Sequence, residues 1–122
     1  MALPMAAAPA TEWCFKLVPK TGKETVLWSF TGGDGSGPYA GVIPNKAGEL
    51  FGTTELGGAN TYGTIFEVDP KKGTETVLHS FDYSDGENPV DGLIQDSKGN
   101  FYGTAQEGGS DGYGVVFSIH PY

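Results

Sequence analysis

A repeat of 51 residues constrains the fold of this chain more than any other feature of its sequence. Residues 13–63 align without a gap to residues 64–114, and 22 of the 51 positions are identical. The same spacing continues into a partial third copy at residues 115–122. Self-similarity at a fixed period of this size is typical of architectures in which each unit packs on its neighbours. We therefore divide the chain into a leader, residues 1–12, and a single repeat domain, residues 13–122.

Each unit contains four short stretches with the composition of β-strands. Residues 24–30 and 75–81 are rich in β-branched and aromatic side chains, and Gly-containing turns separate them from the stretches on either side. No window of eleven or more residues has helical periodicity. Four short strands per unit predict an all-β, propeller-like fold built from two four-stranded blades. The first strand occurs three times, so we expect nine strands, a number that a two-sheet β-sandwich also accommodates.

Two blades are too few to close a ring by themselves. Propellers usually hold about four to eight blades, and open blades present unpaired strand edges. Closed symmetric assembly is the usual solution for identical subunits. We therefore predict a homo-oligomer, with a trimer of six blades as the first choice. The extra strand is also what a fragment of a longer array without independent function would show.

The recurring glycines predict structure rather than a phosphate-binding loop. Gly57 and Gly63, with their counterparts one repeat later, bracket the connection to the next unit, where a positive φ is expected. Gly52 and Gly103 lie inside predicted strands, which indicates a bulge or close packing against a neighbouring sheet.

One set of matching residues gives the repeat a family resemblance. The unit resembles the tandem repeats of the GloVer family, found in exported bacterial proteins, through the stretches Val77-Leu78-His79-Ser80-Phe81, Asp85-Gly86, Gly92-Leu93-Ile94, Gly99-Asn100-Phe101-Tyr102-Gly103-Thr104 and Gly114-Val115-Val116-Phe117. The resemblance implies an exported, propeller-like β array and assigns no biochemical role. The sequence Ala8-Pro9-Ala10 has the A-x-A form of a signal-peptidase site, which predicts a secreted or cell-surface location; an Ala-rich leader with no targeting role is the alternative.

Charge and composition exclude several classes of partner. The formal net charge is -8 and the chain has no Arg, whereas nucleic acids and anionic membranes need clustered cationic side chains. No stretch approaches the roughly 18–20 apolar residues of a membrane span. The acidic excess lies in the second unit, within one loop that contains Asp82, Asp85, Glu87 and Asp91. These oxygens are candidate ligands for Ca²⁺, although their spacing is not that of an EF-hand and a solvated turn is the alternative.

Aromatic side chains in the loops are the other functional indication. We expect Trp28, Tyr39 and Tyr83 to be candidates for stacking on sugar rings, because aromatic residues beside Asp and Asn suit glycans. Tyr62 and Tyr113 recur in register and are expected to fill the space between blades. The sequence has no nucleophile elbow and no metal-spaced histidines, and we assign no catalytic residue. It therefore predicts a non-enzymatic structural or glycan-binding module, with a carbohydrate-active hydrolase that uses loop 82–91 as the alternative.

Overall fold

The part of the chain that the structure describes folds into nine β-strands. The structure, a computed structural model, describes the backbone of residues 13–18 and all atoms of residues 21–121. Its strands are β1 Trp13–Val18, β2 Lys23–Ser29, β3 Ile43–Pro44, β4 Leu50–Thr54, β5 Thr64–Asp69, β6 Thr74–Ser80, β7 Ile94–Gln95, β8 Phe101–Ala105 and β9 Val115–Ile119. These residues contain no α-helix, and thus none long and apolar enough to cross a membrane. The leader, residues 1–12, lies outside the described residues.

The strands form three antiparallel sheets in chain order. The first sheet is β1-β2, the central sheet is β3-β4-β5-β6, and the third sheet is β7-β8-β9. The described residues are therefore all-β with nine strands, as predicted, but among them only one sheet has the expected four strands. The prediction of two complete four-stranded units is wrong because each 51-residue unit divides its strands between two successive sheets. The first two strands of a unit end one sheet, and the last two begin the next.

The repeat is visible in the strand pairing itself. Strands β1 and β2 pair with Cys14 opposite Trp28, and β5 and β6 pair with Ile65 opposite His79, 51 residues later. Each pair has one register shift, and it falls immediately after Cys14 or Ile65. An extra residue at a fixed position increases the local twist of a sheet. The same twist is thus built into successive sheets.

The sheets pack face to face through two apolar clusters. Alternation along β5 places Ile65 towards the third sheet and Phe66 towards the first, so the central sheet is covered on both faces. Phe30 meets Phe66 edge to face at 4.9 Å between ring centroids, and Phe81 meets Phe117, one repeat later, at 5.2 Å. Repeated aromatic pairs of this kind add to the burial energy of each interface.

Gly52 in β4 is explained by a ring on the adjacent strand. A Cβ there would lie 2.8 Å from Cζ of Phe66, its cross-strand partner on β5. Gly103 has the same relation to Phe117. Close packing was predicted at both positions, but it comes from a ring in the same sheet rather than from a neighbouring sheet. The missing side chain lets the ring cover the strand beside it.

Candidate functional site

The loops at one end of the sheets are joined in pairs by backbone hydrogen bonds that recur in both repeat units. The loop after β2 pairs with the loop after β4, where Ser36 N donates to Leu56 O at 2.8 Å and Leu56 N donates to Ser36 O at 2.9 Å. Glu87 and Glu107 repeat this pair of bonds between the loops after β6 and β8, at 2.8 and 3.1 Å. Gly57 has a φ of +78°, and a Cβ there would lie 2.5 Å from the carbonyl oxygen of Gly32. The positive φ predicted for these glycines is confirmed.

At each pair of hydrogen-bonded loops, a ring nitrogen at the end of a strand contacts an aspartate in the loop that follows the strand. Trp28 Nε1 donates to Asp34 Oδ2 at 2.9 Å, and His79 Nε2 lies 2.6 Å from Asp85 Oδ2. Asp34 also accepts from the backbone N of Thr31, and Asp85 accepts from that of Asp82. The two arrangements occupy the same repeat position. The aligned pairs 28/79 and 34/85 are visible in the sequence, but their contact was not predicted.

The three aromatic residues predicted for ligand stacking lie in different environments. Tyr39 is 70% exposed and Tyr83 is 42% exposed, so both rings are accessible. Tyr83 also lies 5.8 Å, between ring centroids, from Tyr62. Trp28 is half-buried and packs in the cluster between the first and central sheets. Its indole N–H is bonded to Asp34, so this side chain belongs to the interior of the stack.

Two of the four acids predicted to bind Ca²⁺, Asp82 and Asp85, have carboxylates that accept hydrogen bonds within the protein. Oδ1 of Asp82 accepts from Ser84 Oγ at 2.7 Å and from Asp85 N at 3.2 Å. These bonds, that of Ser84 first, hold the pKa of Asp82 below its ordinary value. The backbone carbonyl of Asp91 accepts a bond from Thr53. Among residues 21–121, no group of three or more His, Cys, Asp or Glu side chains is arranged to hold a metal ion. Calcium binding stays a prediction.

One carboxylate between the first and central sheets is not predicted from the sequence. Glu75 in β6 has an Oε2 atom that is buried and has no hydrogen-bond partner. Burial first, and the nearby Asp34 second, raise its pKa from an ordinary 4.5 to about 7. Glu75 lies opposite Val68, on a strand whose sequence shows ordinary alternation of polar and apolar residues. Its buried environment arises from the packing of the first sheet against the central sheet, which the sequence of the strand does not show.

The outer face of the third sheet exposes residues whose counterparts are buried one repeat earlier. Val116 is 81% exposed, whereas Ile65, its counterpart in the central sheet, is 2% exposed. Ile94 is 70% exposed and Tyr113 is 91% exposed, while their counterparts are packed against the core. Tyr62 therefore packs between sheets as predicted, but Tyr113 does not, because no sheet formed by the described residues lies over it. A cavity of about 270 Å³ on this face is lined mainly by apolar surface.

A second cavity lies beside the free edge of the third sheet. It has a volume of about 290 Å³ and is bounded by β9 on one side and by the end of β6 on the other. His79, Asp85 and Phe117 are among its lining residues. One repeat earlier, the position that corresponds to this cavity is occupied by β6, the fourth strand of the central sheet. The cavity is thus the position that a fourth strand of the third sheet would occupy.

Comparison with known families agrees with this repeated architecture. The family model described as Gloeobacter/Verrucomicrobia repeat matches residues 11–122. The chain belongs to this repeat family. The match spans both units and the partial third copy, so the predicted GloVer resemblance is confirmed. Comparison with curated proteins and with solved structures finds no match.

Proposed function

We propose that this chain is a non-enzymatic structural repeat module that packs β-sheets in a propeller-like stack and takes a further repeat unit on its third sheet. The observation that carries the proposal is the contrast between Ile65 and Val116. The two residues hold the same repeat position, and only the one with a sheet over it is buried. In repeat proteins each unit contacts only its neighbours, so a face that is buried between two sheets at one repeat position is a docking face at the position where it is exposed.

One of the carboxylates considered for hydrolysis, that of Asp85, also has a structural explanation. The His79–Asp85 pair has the residue types of a catalytic acid–base pair, but Trp28 and Asp34 form the same contact one repeat earlier. An indole cannot act as an acid or base, so the contact recurs for a reason other than proton transfer. A ring N–H that fixes the loop carboxylate at the end of each strand is sufficient. This supports the non-enzymatic assignment.

A tandem extension tests whether the third sheet accepts another unit. The test protein carries a second copy of residues 64–114 inserted after Gly114, so that the inserted unit packs on the exposed face. We expect a higher denaturant midpoint than that of the 122-residue chain, because a new interface is buried. The matched control carries Phe101→Asp in the inserted copy only, where the aspartate would enter the new interface. Equal midpoints for all three proteins would contradict the proposal.

Glycan binding is a second candidate function, supported by the accessible rings of Tyr39 and Tyr83. Flat aromatic faces beside hydrogen-bonding loop residues suit sugar stacking. A glycan array with the Tyr39→Ala and Tyr83→Ala variants tests it, and Tyr113→Ala serves as a control for an exposed tyrosine outside the predicted set. Binding that only the control retains supports this function. The proposal includes export to the cell surface or medium, supported by Ala8-Pro9-Ala10 and checked by cell fractionation.

A further inference from the structure

Two apolar surfaces of this molecule are partly exposed. They correspond to the two sides of the interface that the central and third sheets already form. Between the central and third sheets, Phe51 packs on Phe101 with 4.3 Å between ring centroids, and Leu93 and Phe101 are only 4% and 1% exposed. Their counterparts one repeat earlier, Val42 and Leu50, are half-buried. The difference arises because, in the described residues, the first sheet contains β1 and β2 but not the two further strands that would cover them.

The third sheet has the complementary surface. Ile94 and Tyr102 hold the repeat positions of Ile43 and Phe51, which cover Leu93 and Phe101 within the molecule. Ile94 is 70% exposed. The third sheet of one copy can therefore cover Val42 and Leu50 of a second copy, in the arrangement that the central and third sheets already adopt.

Strand β9 is the repeat counterpart of β1, but it lies in a sheet that also contains β7 and β8. The two occupy the same repeat position, 102 residues apart, at Phe15 and Phe117. In the described residues β1 pairs only with β2, and β9 pairs only with β8. The common register of the β1-β2 and β5-β6 pairs predicts the partners of β9 on a β2 strand: Phe117 opposite Val26, and Ser118 opposite Thr25.

We propose that β9 of one copy replaces β1 of a second copy and pairs with the β2 strand of that copy. The result is a composite sheet in the order β7-β8-β9-β2. This inference rests on the proposed function, since it names a second copy of the chain as the unit that docks on the third sheet. Each copy then contributes one central and one composite four-stranded sheet. Three copies supply six sheets, which is the ring predicted from the sequence.

The exchange keeps the strand ladder and adds apolar contacts. The pairs lost between β1 and β2 are replaced by equivalent pairs between β9 and β2, while Ile94, Tyr102 and Val116 gain cover. The register also fills the cavity beside β9. Glu75 and Val77 of β6 lie beside β5, and Glu75 is close enough to Asp34 for its pKa to respond. Their counterparts in the second copy, Glu24 and Val26, would enter the cavity near Asp85.

Disulfide trapping tests both the exchange and its register. In a Cys14→Ala background, a Thr25→Cys chain is mixed under mild oxidation with a Ser118→Cys chain. Both positions are exposed, so the substitutions are mild. Directly opposed residues of antiparallel strands lie about 4.5–5.5 Å apart at Cα, within the range for a disulfide. We expect a cross-linked dimer in the mixture, at several times the yield from either chain alone.

The matched control replaces Ser118→Cys by Ser97→Cys, an exposed position in the turn between β7 and β8. A yield no higher than that control would overturn the proposal. If either chain fails to fold by circular dichroism, Lys23→Cys with His120→Cys provides a second opposed pair on the same register, with the same two outcomes. A stabilised tandem extension without cross-linking rejects the exchange alone, whereas an extension without stabilisation rejects the proposed function.

Discussion

Ile65 and Val116 allow the repeat model to be tested at one position in two environments. Ile65 is 2% exposed between the central and third sheets, and Val116 is 81% exposed on the outer face of the third sheet. Ile65→Ala removes three carbon groups, each worth about 0.8 kcal/mol when buried. The cavity left behind adds to this loss, so we expect a decrease of about 3 kcal/mol in the free energy of unfolding. That is a large part of the roughly 5–15 kcal/mol that stabilises a typical domain.

Val116→Ala removes apolar atoms that are already in water. We expect a change within about 0.5 kcal/mol when the protein is dilute enough to be monomeric. Urea unfolding followed by tryptophan fluorescence measures both values, with an unchanged slope required for the comparison. Equal losses for the two variants in dilute protein would refute the assignment of Val116 to an exposed face. A small loss for Ile65→Ala would refute the packing of the central sheet on the third.

Three further predictions concern other parts of the structure. Gly52→Ala should lower stability by about 1–3 kcal/mol, because the new Cβ overlaps the Phe66 ring, while Gly33→Ala, with no atom within 4 Å of the added Cβ, should change it little in chemical denaturation. The raised pKa of Glu75, about 7, means that its favourable contribution is full below pH 4.5 and is lost as pH rises through 7. Glu75→Gln should therefore raise the melting temperature at pH 8, by the equivalent of roughly 1 kcal/mol after allowance for solvent screening, and leave it unchanged at pH 4; equal shifts at both pH values would contradict this. For loop 82–91, calcium binding predicts a higher melting temperature in Ca²⁺ than in chelator, because a ligand that binds only the folded state raises its stability, and equal melting temperatures would reject the metal site.

The strands could be predicted from sequence, whereas the sheets could not. Alternation and turn composition locate β2 and β6 to within a residue or two, and the repeat places β9 in register with β1 and β5. Strand composition does not specify which neighbours share a sheet. The division of each unit between two sheets depends on long-range packing, such as that of Phe51 on Phe101, two residues that do not hold the same repeat position.

The candidate site shows the same limit. Tyr39 and Tyr83 lie in loops and are accessible, and their role in ligand binding stays a prediction. Trp28 was not distinguishable from them by composition, because its burial depends on the central sheet lying over β2. The contact between Trp28 and Asp34 spans only six residues, and its recurrence at His79 and Asp85 is a signal that an alignment of the two units contains. The exposure of Val116 could not be predicted from its repeat position, because it depends on whether another sheet packs on the outer face of the third sheet.

Native mass as a function of concentration tests most directly whether the third sheet is a docking face for a second copy. We predict that light scattering on the purified chain will show a mass rising with concentration from 12.8 kDa towards three times that value. The Val116→Asp variant should remain at 12.8 kDa while it keeps its far-ultraviolet circular dichroism. A mass of 12.8 kDa for the unmodified chain at every concentration would contradict assembly through this face.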